Sequence, residues 1–130
     1  MRMSNPETLL RNSTTYAVLG VNTDHESYAN KILRKLHHVN KVAYGVNPNY
    51  DTLFNQPVFP ALEKLPEVPE VVVFVVNPTI GIHYLDRMAE LGIKYAWLQP
   101  GTISIELLEK AKALGIETIE ACVLVVSAYL

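Results

Sequence analysis

Short apolar runs rich in β-branched residues alternate along this chain with segments whose apolar residues recur at helical spacing. The runs cover residues 16–21, 41–46, 71–76, 94–98 and 116–119. Such an alternation is typical of parallel strands that are joined by crossover helices. The run at 71–76 is apolar at every position, which indicates an interior strand covered on both faces. The sequence therefore predicts an α/β fold with this run among its most buried segments.

Start and stop signals place the helices between these strands. Ser27 can cap a helix that continues along one apolar stripe, and Asn77 followed by Pro78 predicts a second helix start. That second helix should end at Gly92, and a third should cover residues 104–114. We therefore expect a Rossmann-like, three-layer domain in which a five-stranded parallel sheet, of order 3-2-1-4-5, has helices on both faces.

The remaining segments suggest how the chain is divided. Residues 51–70 carry four prolines, so we expect a connecting segment with at most a turn or two of helix. Asn5-Pro6-Glu7 is a helix start signal, which predicts a short helix over residues 5–12. We accordingly expect a short N-terminal helical extension at 1–13 and a single Rossmann-like domain at 14–130.

Composition excludes several functional classes. The net charge is −2, and the basic residues are scattered apart from Lys31, Arg34 and Lys35, whereas nucleic-acid binding usually needs a basic patch. One cysteine supplies neither an internal disulfide nor a set of metal ligands. No apolar run is long enough to cross a membrane, and the N-terminus lacks the pattern of a secretory signal. We expect a cytoplasmic protein with no metal site and no nucleic-acid or membrane partner.

Ligands of open parallel sheets bind beyond the carboxyl ends of the strands, where the strand order reverses. In this chain the loops at that edge begin at Gly20, Asn47, Asn77 and Gln99. The candidate ligand-binding residues are Gly20, Val21, Asn22, Thr23, Ser27, Tyr28, Asn47, Pro48, Asn49, Asn77, Pro78, Gln99, Pro100 and Gly101.

The first of these loops joins a strand to a helix whose N-terminal N–H groups and dipole can hold an anion. Its single glycine, Gly20, does not make the Gly-x-Gly-x-x-Gly fingerprint of dinucleotide sites. Asp24 and Glu26 would repel a phosphate unless they point away from it. An ordinary capped turn between strand and helix is the alternative interpretation.

The second loop argues against a dinucleotide. An NAD site places an acidic residue about 20 residues beyond its glycines to bind the ribose hydroxyls. This chain has Asn47-Pro48-Asn49-Tyr50 near that place, so NAD(P) is disfavoured as the cofactor. The asparagines could bind a ribose or an adenine, or they could serve the turn alone.

A series of short motifs runs through the chain in a fixed order. They are Gly20 with Ser27-Tyr28, Gly45-Val46-Asn47-Pro48, Val75-Val76-Asn77-Pro78, Trp97-Leu98-Gln99-Pro100-Gly101 and Cys122. In order and spacing the chain resembles the CoA-binding domain family over about residues 14–125. That family is similar to the N-terminal domain of the succinyl-CoA synthetase alpha subunit.

The resemblance implies a Rossmann-like sheet on which the first loop holds the phosphates of CoA. It further implies that the Asn47-Pro48 turn lies along the adenosine, that Asn77-Pro78 flanks the pantetheine, and that Gln99-Pro100-Gly101 lies near the phosphates. The family commonly has a basic residue just after Asn-Pro or within the first loop. Asn49, Asp24 and Glu26 stand there in this chain, so recognition of the 3′-phosphate would fall to Lys31, Arg34 or Lys35.

The resulting hypothesis is a CoA-binding or acyl-CoA-binding protein without catalytic residues of its own. Two alternatives remain open: an NAD(P)- or other nucleotide-binding subunit of an oxidoreductase or CoA-transferring enzyme, and an interaction module without a ligand. The enzyme alternative would need a second domain or a partner chain to supply the reacting residues.

Residues outside the candidate ligand-binding set have simpler expected roles. His37 and His38 should interact with the dipole at the end of a helix, and His25 should be an exposed loop residue. Trp97 is expected in the core, and Cys122 as a small buried hydrophobic residue. The apolar tail at 123–130 is longer than one strand needs, which predicts a homodimer that covers it.

Overall fold

The structure, a computed structural model, describes residues 5–130, with the backbone only at Tyr129. Its helices are α1 Pro6–Asn12, α2 Tyr28–His38, α3 Pro78–Gly81, α4 Tyr84–Leu91, α5 Ile105–Ala113 and α6 Val123–Val126. Its strands are β1 Thr15–Leu19, β2 Val42–Val46, β3 Thr52–Leu53, β4 Gln56–Phe59, β5 Val71–Phe74, β6 Tyr95–Leu98 and β7 Glu117–Glu120. Single 3₁₀ turns occur at Leu62–Lys64 and Ser127–Tyr129.

The strands form one seven-stranded sheet of order β3-β4-β2-β1-β5-β6-β7. All neighbours are parallel except β3 and β4. β1 lies in the middle, and its Val18 is in register with Gly45 of β2 and Val73 of β5. The α/β class and the predominantly parallel sheet are as predicted.

The predicted strand number and strand order were wrong. The third predicted strand, which contains β5, lies directly beside β1 and not beyond β2. The outer position beyond β2 is taken by β4, which the prediction had assigned to a connecting segment. An interior place for β5 agrees with its apolar sequence, because Val71–Phe74 are fully buried. Val75 and Val76, which follow the strand, are only partly buried.

The hairpin of β3 and β4 was missed because prolines flank and interrupt it. Pro57 lies within β4 opposite Thr52, in the antiparallel pair, where it contributes no N–H group to the ladder. The turn between the strands consists of Phe54 and Asn55, with φ of 51° and 63°. Positive φ at both positions is the pattern of a type I′ turn, which usually carries Asn-Gly. The sequence of this segment therefore shows neither a strand run free of proline nor the usual Asn-Gly turn pair.

Side chains alternate between the two faces of the sheet and create two cores. Tyr16 and Val18 of β1 pack with α1, α2 and α6, on a side that we call the α2 face. Ala17 and Leu19 pack with α4 and α5 on the opposite side, the α5 face. The three-layer arrangement with helices on both faces is therefore confirmed.

Capping residues determine the helix starts. The side chains of Ser27, Asn77 and Ser104 each accept a hydrogen bond from the backbone N–H three residues on. The predicted helix after Asn77 is divided, however, into α3 and α4. Between them His83 N–H bonds to the Ile80 carbonyl, an i→i−3 pattern that tightens the chain.

The chain ends pack onto the α2 face. Leu9 and Leu10 of α1 are buried in its core, and residues 1–4 of the predicted extension lie outside the described residues. The tail forms α6, which packs against α1 and α2 with Val123 fully buried. Because much of the tail packs on its own domain, its apolar character no longer requires a second copy.

Tyr16 links α1 to the centre of the sheet and makes the fold sensitive to high pH. Its hydroxyl donates to the Leu10 carbonyl over 3.3 Å, and burial raises the pKa of Tyr16 to about 12. The unfolded pKa is about 10, so folding favours the neutral phenol. This contribution to stability is present below pH 10 and is lost as the pH rises through the folded pKa.

We expect the wild-type free energy of unfolding to fall by about 2 to 3 kcal/mol more than that of Tyr16→Phe between pH 9 and 12. Urea unfolding of both proteins at several pH values measures the difference. Any pH dependence that both proteins share cancels in this comparison. Parallel pH profiles of their free energies of unfolding would therefore contradict the assignment to Tyr16.

Candidate functional site

The carboxyl ends of β1 and β5 create a cleft, because the chain leaves these neighbouring strands toward opposite faces. After β1 it enters α2 on the α2 face, and after β5 it enters α3 and α4, which continue on the α5 face. Such a divergence is where open α/β sheets bind ligands. The loops from Gly20, Asn77 and Gln99 all open at this edge.

Gly20 permits the close approach of the two strand ends. Its φ is 101°, and a Cβ at this position would lie 2.7 Å from the carbonyl oxygen of Val75. Its N–H bonds to the Val46 carbonyl over 3.1 Å. The conformation and the contact both require glycine, so Gly20 serves the fold whether or not a ligand is present.

The loop after β1 is held by the side-chain amide of Asn30. Its Oδ1 accepts from Asn22 N–H at 3.1 Å, and its Nδ2 donates to the carbonyls of Asn22 and Asp24 at 2.7 and 2.8 Å. Asn30 is 5% exposed and lies in the first turn of α2. A buried amide with three hydrogen bonds makes this loop rigid.

Much of the loop's own hydrogen-bonding capacity is used internally. The Asn22 side chain accepts from Asp24 N–H, and the Asp24 side chain accepts from Glu26 N–H. Ser27 accepts from Asn30 N–H at 3.3 Å. The N–H groups of Tyr28 and Ala29 belong to the first turn of α2, where a helix offers them no partner.

The acidic residues of the loop are turned to local partners. Glu26 lies 3.1 Å from the His25 imidazole, 3.7 Å from Arg34 and 3.9 Å from Lys31. Asp24 faces the backbone of its own turn. Neither carboxylate lines the cavity described below.

The turn after β2 is joined to the first loop. Asn47 Nδ2 donates to the Val21 carbonyl over 2.8 Å, while its Oδ1 accepts from Asn49 N–H at 2.9 Å. The Asn47 side chain thus performs the turn chemistry that was the alternative to ligand binding. Pro48 and Asn49 are exposed beside it.

The loop after β6 is held from within. Gln99 is 3% exposed, and its Oε1 accepts from Val123 N–H at 2.7 Å, which fixes the start of α6. Its backbone carbonyl accepts from the N–H and the hydroxyl of Thr102. Pro100 and Gly101 are exposed, with φ of 89° at Gly101.

Three predicted site residues meet two unpredicted ones in a cavity of about 160 Å³ at this edge. Its lining consists of Tyr28, Val75, Gln99, Pro100 and Cys122, none of which is charged. Thr23, Asn77 and Pro78 do not line it, although Asn77 caps α3 nearby. The structure therefore brings the loops after β1, β5, β6 and β7 together around one small cavity.

Sequence reasoning missed Asn30 and Val75 and misjudged Cys122. Cys122 is half-buried and lines the cavity, whereas a small buried hydrophobic residue was expected. It stands two residues beyond the end of β7, so the rule for strand ends would have placed it at this edge. Trp97 is fully buried as predicted, and its Nε1 donates to the Ala121 carbonyl.

Comparison with known proteins gives the family. The model of the family described as "CoA binding domain" matches residues 14–128. The chain belongs to the CoA-binding domain family. This confirms the resemblance inferred from the ordered motifs.

Relatives of this CoA-binding domain include both short proteins and large enzymes. It is 31% identical to a conserved hypothetical protein from Pyrococcus furiosus, with a TM-score of 0.80, over 86% of this chain and 97% of that one. It is 23% identical to acetate–CoA ligase [ADP-forming] I of Archaeoglobus fulgidus over 113 residues, or 79% of this chain. It spans only 16% of that ligase.

A structure of a synthetase shows the same fold. "Dinucleotide forming Acetyl-coenzyme A synthetase 1" of Ca. Korarchaeum cryptofilum, in complex with phosphate and ADP, matches with a TM-score of 0.73 and 24% identity. The match covers 89% of this chain and 27% of the synthetase.

Two structural features are not found in residues 5–130. No helix in this part of the chain is long and apolar enough to span a membrane. No three His, Cys, Asp or Glu side chains in the same part are grouped so that they could hold a metal ion.

The close approach at Gly20 can be measured against a matched glycine. Gly101 also has positive φ, but a Cβ there would meet nothing within 4 Å. We expect Gly101→Ala to destabilise by about 1 to 2 kcal/mol, from backbone strain alone. Gly20→Ala should cost at least about 1 kcal/mol more, because it also forces the ends of β1 and β5 apart. Equal losses in urea unfolding would show that the two strand ends are not in tight contact.

Proposed function

We propose that this protein binds CoA or an acyl-CoA at the carboxyl edge of its sheet. The observation that carries the proposal is the cavity beside the N-terminus of α2, in a chain that belongs to the CoA-binding domain family. The phosphates would lie at the start of α2, the pantetheine in the cavity, and the adenosine against the turn after β2.

The start of α2 supports phosphate binding through its backbone. The helix has 11 residues, and its dipole is equivalent to about half a positive charge at the N-terminus. The N–H groups of Tyr28 and Ala29 are available for an anion there. Lys31 lies one turn on, with its ammonium 5.9 Å from the centre of the Tyr28 ring, and could supply a further positive charge.

The cavity itself suits the pantetheine chain of CoA and not its adenine base. Sites for whole drug-sized ligands usually enclose about 300 Å³ or more. A space of about 160 Å³ without charged side chains suits a narrow, uncharged chain with amide groups. Tyr28, Gln99 and Cys122 would be its polar neighbours.

The adenosine would contact the exposed part of the turn after β2. The Asn47 amide is already used to join this turn to Val21, which leaves the surfaces of Pro48 and Asn49. The family match gives no support to NAD(P) as the cofactor.

We further propose that the protein has no independent catalytic activity and is cytoplasmic. In the ligase to which the chain is similar, it corresponds to 16% of the length. CoA-transferring chemistry would therefore need residues from another domain or a partner chain.

A homodimer also remains a prediction, since Val125 is 66% and Leu130 is 45% exposed in the tail. Light scattering would test it.

One observation favours the alternative of an interaction module without a ligand. Asn22, Asp24 and Asn30 satisfy several N–H groups of the first loop from within. If that loop needs no ligand to complete its hydrogen bonds, the fold could persist after binding has been lost.

Thermal stability distinguishes these functions. CoA at 100 times its dissociation constant should stabilise by about 2.7 kcal/mol, a shift of roughly 5 to 15 °C in Tm. We expect CoA to raise Tm more than NAD does. Ser27→Asp should reduce the shift, because the new carboxylate competes with phosphate for the same N–H groups while it still caps α2.

Ser104→Asp is the matched control. Ser104 caps α5 by the same type of hydrogen bond, from the N–H three residues on, but α5 lies across the sheet from α2. This variant should keep the full CoA shift. A shift with NAD but not with millimolar CoA would favour the dinucleotide alternative, and no shift with either would favour the interaction module.

A further inference from the structure

A second cavity, of about 300 Å³, lies between α2 and the hairpin of β3 and β4. We call it the hairpin cleft. His25, Arg34 and His37 line it from the α2 side, and Leu53, Phe54 and Val58 from the hairpin. None of these residues lines the cavity at the start of α2. The cleft is therefore a separate space, and its volume reaches the usual lower limit for ligand sites.

Phe54 forms one wall of the hairpin cleft at a conformational cost. Its φ is 51°, in a region that bulky residues rarely occupy, and the residue is 51% exposed. Its ring meets the His25 imidazole edge to face, with the centroids 5.0 Å apart. Residues held in sparsely populated backbone conformations cluster at binding sites.

The polar side of the cleft favours an anion. Arg34 is the permanently charged residue of the lining, and no carboxylate belongs to that lining in the described part of the chain. One Arg34 nitrogen donates to the His25 carbonyl over 2.8 Å, which orients the guanidinium. Glu26 is 3.7 Å from the other terminal nitrogen and its side chain is 70% exposed, so this ion pair is weak and a ligand carboxylate could replace it.

We propose that the hairpin cleft binds a small aromatic carboxylate. The ring lies between Phe54 and the apolar floor of Leu53 and Val58, and the carboxylate pairs with Arg34. A carboxylate suits a guanidinium because it can accept two parallel hydrogen bonds. The proposal does not rest on CoA binding, but it assigns Arg34 to this cleft and leaves Lys31 and Lys35 for the 3′-phosphate of CoA.

Phenylacetate is the probe for the test. Titration followed by NMR should shift the imidazole signals of His25 and His37 and the ring signals of Phe54, with saturation. The neutral isostere phenylacetamide and the ringless acetate should each bind at least tenfold more weakly.

Variants separate the two halves of the site. Arg34→Gln should weaken phenylacetate binding by tenfold or more. Arg34→Lys keeps the charge and should therefore lose less affinity for phenylacetate. Phe54→Asn should also lose binding, yet it should unfold at an equal or higher temperature, because asparagine tolerates positive φ. Arg87→Gln is the control, since Arg87 lies on α4, across the sheet from α2, and pairs there with Glu63 and Glu90.

The proposal fails if millimolar phenylacetate leaves the His25, His37 and Phe54 signals unchanged. It also fails if phenylacetamide binds equally well, or if Arg34→Gln binds like Arg87→Gln. Phenylacetate binding that persists in Ser27→Asp would support a site separate from the one proposed for CoA.

Discussion

Strand β1 lies between β2 and β5, and its side chains are buried alternately in the cores of the two faces. Just beyond its end, Gly20 lies so close to the Val75 carbonyl that a Cβ would not fit between them, and there the chain diverges toward opposite faces. The cleft at the edge depends on that divergence.

The loop beyond Gly20 is rigid for a reason internal to the protein. The buried Asn30 side chain makes three hydrogen bonds, and Asn22 and Asp24 add others. A loop that is already ordered loses little conformational entropy when a ligand binds, which favours affinity. The same bonds leave fewer N–H groups for phosphate, so binding would depend on the first turn of α2 and not on the loop as a whole.

Local signals predicted those parts of the fold that depend on a few neighbouring residues. The caps at Ser27 and Asn77 and the apolar run of β5 are examples, because capping and strand burial depend on sequence within a few positions. The place of β5 beside β1 could not be derived in this way, since it depends on pairing between distant segments. The Asn30 network was hidden for a similar reason: a polar residue in a first helical turn is common, and only the folded loop shows what it bonds. Pro57 gave the wrong signal, because a strand near the sheet edge tolerates a missing N–H group.

The proposed function places CoA at the start of α2 and in the cavity beside it. Backbone amide NMR during a CoA titration follows both places at once. We expect saturable shifts at Tyr28, Ala29, Val75, Gln99 and Cys122, with the amides of the hairpin cleft unchanged. Unchanged signals at Tyr28 and Ala29 in millimolar CoA, or shifts confined to the hairpin, would contradict it.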